Sequence, residues 1–264
     1  MKVKEVFCKT ALVKSKLPGV DYALNPYRGC QHACLYCYSP SVLREERPWG
    51  SFVDVKVNLP RVLSKELRNK EGGVVSISTV TDGYQPIERR YQLTRRCLLQ
   101  LLKRDFPISV QTKSSLVLRD LEIIKKFSDR DVGFTITTID DRARRGYEPF
   151  ASPVEERLAA LKEIAKNGID TWVFIGPIMP YITDKGDDLK TLIRELSRAN
   201  VKEVIVDKLR MKPGLNEKIK GFISKNYPGL VRHYGKINED YFDDVRSKIF
   251  SLCKEQGLDC TRAW

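Results

Sequence analysis

The sequence predicts an α/β fold with a parallel sheet, a barrel or a barrel fragment. Two observations predict it: short apolar runs alternate with amphipathic helical stretches, and five helix-containing crossovers follow in series. A doubly wound sheet would give the same string of elements. A third observation points to a site on this scaffold: Cys30, Cys34 and Cys37 fall within eight residues, spaced CxxxCxxC.

The first strand is expected at Tyr22-Ala23-Leu24, leading into the cysteine loop. Leu59 to Asn69 reads as a helix with Leu59, Val62, Leu63 and Leu67 on one face. Val74 to Ser78 is a strand, and Leu93 to Lys103 a helix capped by Thr94. Ile108 to Thr112 is the next strand, Leu118 to Phe127 the next helix, and Val132 to Thr137 a strand. The helix from Pro153 to Asn167 has Ser152 as its cap, a proline at its first position and Gly168 at its end. Thr171 to Ile175 is a strand, Asp187 to Asn200 a helix, and Val204 to Val206 a short strand. Two further helices, Leu215–Asn226 and Glu239–Gln256, follow. The expected organisation is one domain: a core over residues 1–210 and a helical C-terminal extension over 211–264.

With 264 residues, 42% of them hydrophobic, the chain can bury a core. No apolar run approaches the ~18 residues of a membrane span, and no signal-peptide core follows Met1, so a cytoplasmic protein without membrane contact is expected. Seven cysteines, three of them bunched, read as a reduced compartment with a metal site, not a disulfide framework. Cys8, Cys97, Cys253 and Cys260 read as ordinary thiols; the last two lack the companions a second cluster needs. The net charge of +13 suits a polyanionic partner such as nucleic acid, or a lysine-rich soluble surface.

Chemistry in parallel α/β folds sits at the carboxyl ends of strands. Those ends are Asn25 to Cys37, Thr79 to Asp82, Thr112 to Ser114, Thr137 to Asp141, Gly176 to Met179, and Asp207-Lys208. Three thiolates can hold three irons of a [4Fe–4S] cluster and leave the fourth open to a ligand. A structural zinc site wants four ligands, and His32 sits too close in sequence to Cys30 and Cys34 to join both without strain. A non-catalytic iron–sulfur or zinc protein is the rival from another class.

CxxxCxxC with Tyr36 directly before the last cysteine, opening a chain of six β units, resembles the radical S-adenosylmethionine (SAM) superfamily. Asn25 to Cys30, Thr81-Asp82 with Pro86 and Glu88, Leu93-Thr94-Arg95, Thr112-Lys113-Ser114, Glu148-Pro149 and Arg157-Leu158 resemble its spore photoproduct lyase-like branch. The resemblance implies a partial (β/α)6 TIM barrel. It also implies a [4Fe–4S] cluster on Cys30, Cys34 and Cys37, SAM on the open iron, and an electron donor such as ferredoxin or flavodoxin. One electron then cleaves a SAM C–S bond and gives a 5′-deoxyadenosyl radical that abstracts hydrogen.

The resemblance further implies roles for single residues. Tyr36 would touch the adenine and Lys113 pair with the SAM carboxylate. Thr137, or Thr135 in the alternative register, would lie near the ribose, and Gly176 would let backbone approach the adenine. Asp82, Glu148 and Arg157 would line or support the pocket; Arg157 with Glu148 as an ion pair, and Asp82 as a turn cap, are the plainer alternatives. Lyases of the branch carry a hydrogen-donating cysteine where alignment on Asp82 puts Thr79, so repair of the spore thymine lesion is not expected. Tyr38 and Tyr84 are either radical relays or packing residues, and no catalytic side chain is assigned. The substrate is a nucleic acid on the charge argument, or else a peptide, protein or small metabolite.

Overall fold

A computed structural model describes residues 1–211 and 214–263. Lys212, Pro213 and Trp264, which fall in the expected extension, lie outside the described residues. Eleven strands occur among the described residues: β1 (Lys2–Val6), β2 (Leu12–Lys14), β3 (Tyr22–Leu24), β4 (Tyr27–Arg28), β5 (Phe52–Lys56), β6 (Val75–Ile77), β7 (Ile108–Thr112), β8 (Arg130–Thr135), β9 (Asp170–Ile178), β10 (Glu203–Lys208) and β11 (Asp259–Arg262). The main sheet has the order β11-β10-β9-β8-β7-β6-β3-β2. All its neighbours are parallel except β2 and β3.

The six expected strands are β3 and β6 to β10, each lying beside its predecessor in the chain. A doubly wound sheet would reverse direction at a switch point. This sheet does not, so its winding is that of a barrel, left open between β11 and β2. The extension is not wholly helical: β11 pairs with β10 as a further parallel strand, Val204 opposite Cys260. A short polar edge strand, Asp-Cys-Thr-Arg, has no apolar alternation to announce it.

A second sheet, β1-β5-β4, sits beside the first. It has a satellite core of Tyr27, Val53, Val55 and Leu93. Buried Glu88 fastens it to the main body. Its carboxylate accepts from the Tyr27 hydroxyl, from the amides of Thr94 at 3.1 Å and Arg95 at 3.3 Å, and pairs with Arg119 at 2.7 Å. Glu88 is therefore the cap of helix Leu93–Leu102. The expected cap, Thr94, is inside the helix and donates its hydroxyl to the Gly83 carbonyl at 2.6 Å.

Ser152 likewise does not cap helix Val154–Lys166; its hydroxyl accepts the Ser115 amide, and Asp141 accepts the amide of Val154. The expected helix from Leu118 is a 3-10 turn, Ser115–Asp120, followed by one α-turn, Leu121–Ile124. Ser114 caps that turn early by accepting from the Leu116 amide. Gly168 ends its helix as expected, with φ +72°. The main core packs the inward faces of helices, such as Leu59 and Leu63, on strand residues such as Ile77, Val110 and Phe134. No helix among the described residues is long and apolar enough to cross a membrane.

Candidate active site

The cysteine loop leaves β3 and is fastened along its length. Asn25 accepts from the Val80 amide at 3.1 Å and donates to Thr79 Oγ1 at 2.9 Å. Gly29 has φ +87°, and a Cβ there would lie 2.4 Å from the Phe52 carbonyl oxygen, so only glycine fits. Fully buried Gln85 donates to the Gly29 carbonyl at 3.2 Å and accepts the Gln31 amide at 2.8 Å. The Leu35 amide donates to the Tyr147 carbonyl at 2.9 Å. Gly50 presses on Ala33 from the other side, where a Cβ would sit 2.5 Å from the Ala33 methyl.

All three cysteines are free thiols, Cys30 buried and the other two half-buried. Burial pushes Cys34 up, Lys113 pulls it back, and Glu148, Cys37 and Cys30 add to the rise. Burial also raises Cys37, opposed by hydrogen bonding from Ser39 and reinforced by Cys30. Among the described residues, no three Cys, His, Asp or Glu side chains converge on a single metal ion.

Asp82 joins three strand ends. One oxygen accepts from Thr112 Oγ1 and from the Tyr84 amide, both at 2.8 Å; the other accepts the Lys113 amide at 2.8 Å. His32 Nδ1 lies 3.3 Å from that second oxygen, with the ring 1% exposed. Burial disfavours the charged forms, but each partner overrides it: His32 is held at about 9 by Asp82 and Cys30, and Asp82 falls to about 2. Asp82 is therefore both a turn cap and the clamp between the cysteine loop and the Lys113 backbone.

The Lys113 ammonium stands 5.8 Å from the centre of the Tyr36 ring. Burial opposes its charge, but Cys34, Glu148 and Asp82 raise its pKa and keep it protonated. It has no hydrogen bond or ion pair within the described residues. Tyr36 donates its hydroxyl to Glu148. Glu148 pairs with Arg157 at 2.6 Å, both fully buried. Burial would raise the Glu148 carboxyl, yet Arg157 and Lys113 hold it below its usual value. Arg157 spends its other donors on the carbonyls of Ser152 at 2.8 Å and Thr135 at 2.9 Å. Its guanidinium therefore braces Tyr36 from behind and has none of these groups turned to the mouth.

Thr137 lies beyond the end of β8, its hydroxyl 3.1 Å from that of Tyr147, whose ring is 6.0 Å from Tyr36. Gly176 lies against Phe174. The direction a Cβ would take there is filled by the Phe174 ring at 2.4 Å, so Phe174 packing demands the glycine and frees no space for a ligand on that side. Thr79 faces the loop, its carbonyl accepting from the half-exposed Tyr38 hydroxyl at 3.0 Å. Tyr84 is packed wholly inside, and Cys97 is fully buried in the core. Sequence reading passed over Gln85, Asn25 as an anchor, and Gly29. Glycine directly before a cysteine was the one available signal; a lone loop glutamine carries no pattern.

The family described as Radical SAM superfamily matches residues 24–206. An uncharacterized protein of Methanocaldococcus jannaschii is 39% identical over 187 residues, 70% of each chain. A spore photoproduct lyase of Clostridium acetobutylicum is 24% identical over 169 residues, 62% of this chain and 48% of that protein. A solved spore photoproduct lyase mutant with bound AdoMet (SAM) and dinucleoside spore photoproduct superposes with a TM-score of 0.75 at 15% identity, over 99% of this chain and 81% of that one.

Proposed function

This chain belongs to the radical SAM superfamily and has the fold of spore photoproduct lyase, and from that premise we propose an enzyme whose Cys30, Cys34 and Cys37 hold a [4Fe–4S] cluster with SAM on its open iron. When bound, cluster and SAM supply a 5′-deoxyadenosyl radical for hydrogen abstraction. The observation that carries this reading is the buried, protonated Lys113 ammonium, which has no hydrogen bond or ion pair among the described residues. A buried cation without a direct ion pair is costly, and the SAM carboxylate is its fitting counter-charge. Three cysteines at CxxxCxxC spacing suit three corners of a cluster, whereas a structural zinc takes four ligands.

The remaining residues bind and orient. Tyr36, held by Glu148 and Arg157, flanks the adenosine, with Thr137 near the ribose. The Gly176 backbone contributes on its face away from Phe174. Asp82 and His32 fix the loop against the strand that delivers Lys113. A reduced ferredoxin or flavodoxin would supply the electron. With Thr79 at the donor position and Cys97 in the core, the final step differs from spore-lesion repair. The charge of +13 favours a nucleic-acid substrate.

The test is anaerobic reconstitution. About four irons and four sulfides per chain are expected, with release of 5′-deoxyadenosine from SAM under dithionite. Replacing Cys30, Cys34 and Cys37 together by Ala should abolish both. Cleavage surviving in that triple variant, or one zinc per chain in place of iron, would sink the assignment.

A further inference from the structure

Helix Glu239–Glu255 of the extension carries Phe242 and Arg246 to the carboxyl ends of β9, β10 and β11. A cavity of about 180 Å³ lies there, bounded by Lys208, Arg210, Arg246 and Arg262, with Asp207 the one carboxylate in its wall and Phe242 part of its apolar lining. It opens on the same end of the sheet as the cysteine loop.

The existing ion pairs are of a kind that yields. Lys208 pairs with Glu239 and Arg246 with Asp243, carboxylates whose side chains are 72% and 56% exposed. Pairs with such exposed carboxylates contribute little, so a dianion entering the cavity displaces little. Arg210 pairs with Asp207 at 2.8 Å. Arg262 has no ion-pair partner among the described residues. Arginine forks match the oxygens of a phosphate two at a time. Cavities that take whole small molecules span roughly 300–1,000 Å³; this one suits a single group of a larger substrate.

We propose that this cavity is a phosphate subsite, in which Arg246, Arg262 and Lys208 hold a phosphate group of the substrate while another part of it reaches the mouth beside Tyr38 and Thr79. The inference rests on the reading of that mouth as the reaction site, and deepens it by naming what the substrate must carry. The phosphate comes from a nucleic-acid strand or from a phosphorylated small molecule.

The test compares the cluster-loaded protein with R246A/R262A and with K162A/K166A, which removes the same charge from the exposed face of helix Val154–Lys166. A fluorescein-labelled single-stranded 12-mer is titrated by anisotropy at several salt concentrations, and 5′-AMP by calorimetry. R246A/R262A should weaken the strand about tenfold or more and flatten the salt slope by about 0.7 per lost phosphate contact. K162A/K166A should do neither. That result supports the subsite with a strand as the source. A strand indifferent to the cavity, with 5′-AMP bound by the wild type and lost in R246A/R262A, supports it with a small molecule as the source. Equal effects of the two double variants on the probes, or no effect of R246A/R262A on either, overturns it. Substrate-free SAM cleavage under dithionite is read in parallel on the wild type and on K162A/K166A, where it should be unchanged. Its absence from the wild type would sink the proposed function instead.

Discussion

Lys113 is a cation held charged by its surroundings yet without a hydrogen bond or ion pair among the described residues. Lys113→Met should therefore raise the dissociation constant for SAM by about 30-fold or more, since losing one side of a desolvated charge pair costs about 2–5 kcal/mol. Equilibrium binding to the cluster-loaded protein measures it, and unchanged affinity would remove Lys113 from the SAM site. Glu148 gives a pH prediction. Its pKa in the fold lies below the unfolded value, so its contribution to stability is present above about pH 4.5 and lost as pH falls through the depressed pKa. Thermal unfolding of the metal-free protein should show that acid loss, and Glu148→Gln should lower the stability near neutrality while flattening the acid limb. The cysteines and Lys113 stand out as candidates in the sequence because spacing or a short local motif marks them. Gln85 and Asn25 do not, because amide side chains that bind backbone across more than fifty residues leave no mark on neighbouring sequence.

Elements were legible where one face is apolar. Helix Leu215–Asn226 and strand Ile108–Thr112 lie where periodicity puts them. Both caps assigned from sequence, Thr94 and Ser152, are wrong for one reason: a carboxylate brought in from another turn, Glu88 or Asp141, serves the helix end instead. Local sequence cannot reveal a tertiary cap. The turn at Gly29 makes a sharper prediction. Gly29→Ala puts an L-residue at φ +87° and a methyl against the Phe52 carbonyl. About 2 kcal/mol or more of stability should go, a fall in melting temperature of roughly 4–8 °C for a chain of this size. A fall under about 2 °C would mean that the loop and β5 move apart at little cost.

At the scale of the whole molecule, the winding direction of the sheet is what the sequence left open between two folds, and strand order decides it. The second sheet went unread because its strands pair across long gaps, β1 with β5 and β5 with β4, and because two of them are short or exposed on both faces. Its clamp to the body is Glu88. A small sheet with a core of four residues would ordinarily open on its own, long before the rest. With one buried carboxylate shared between Tyr27, Arg119 and the start of a core helix, its opening must break the main body as well. Backbone amides of β5 should thus exchange with solvent hydrogen as slowly as those of β7. Glu88→Gln should speed β5 about 100-fold, the measure of about 3 kcal/mol for a broken buried pair. Exchange of β5 already fast in the wild type would contradict the coupling. The cysteine loop passes through β4, so the lifetime of the site is tied to cooperative unfolding of the entire chain and not to the fraying of a loop.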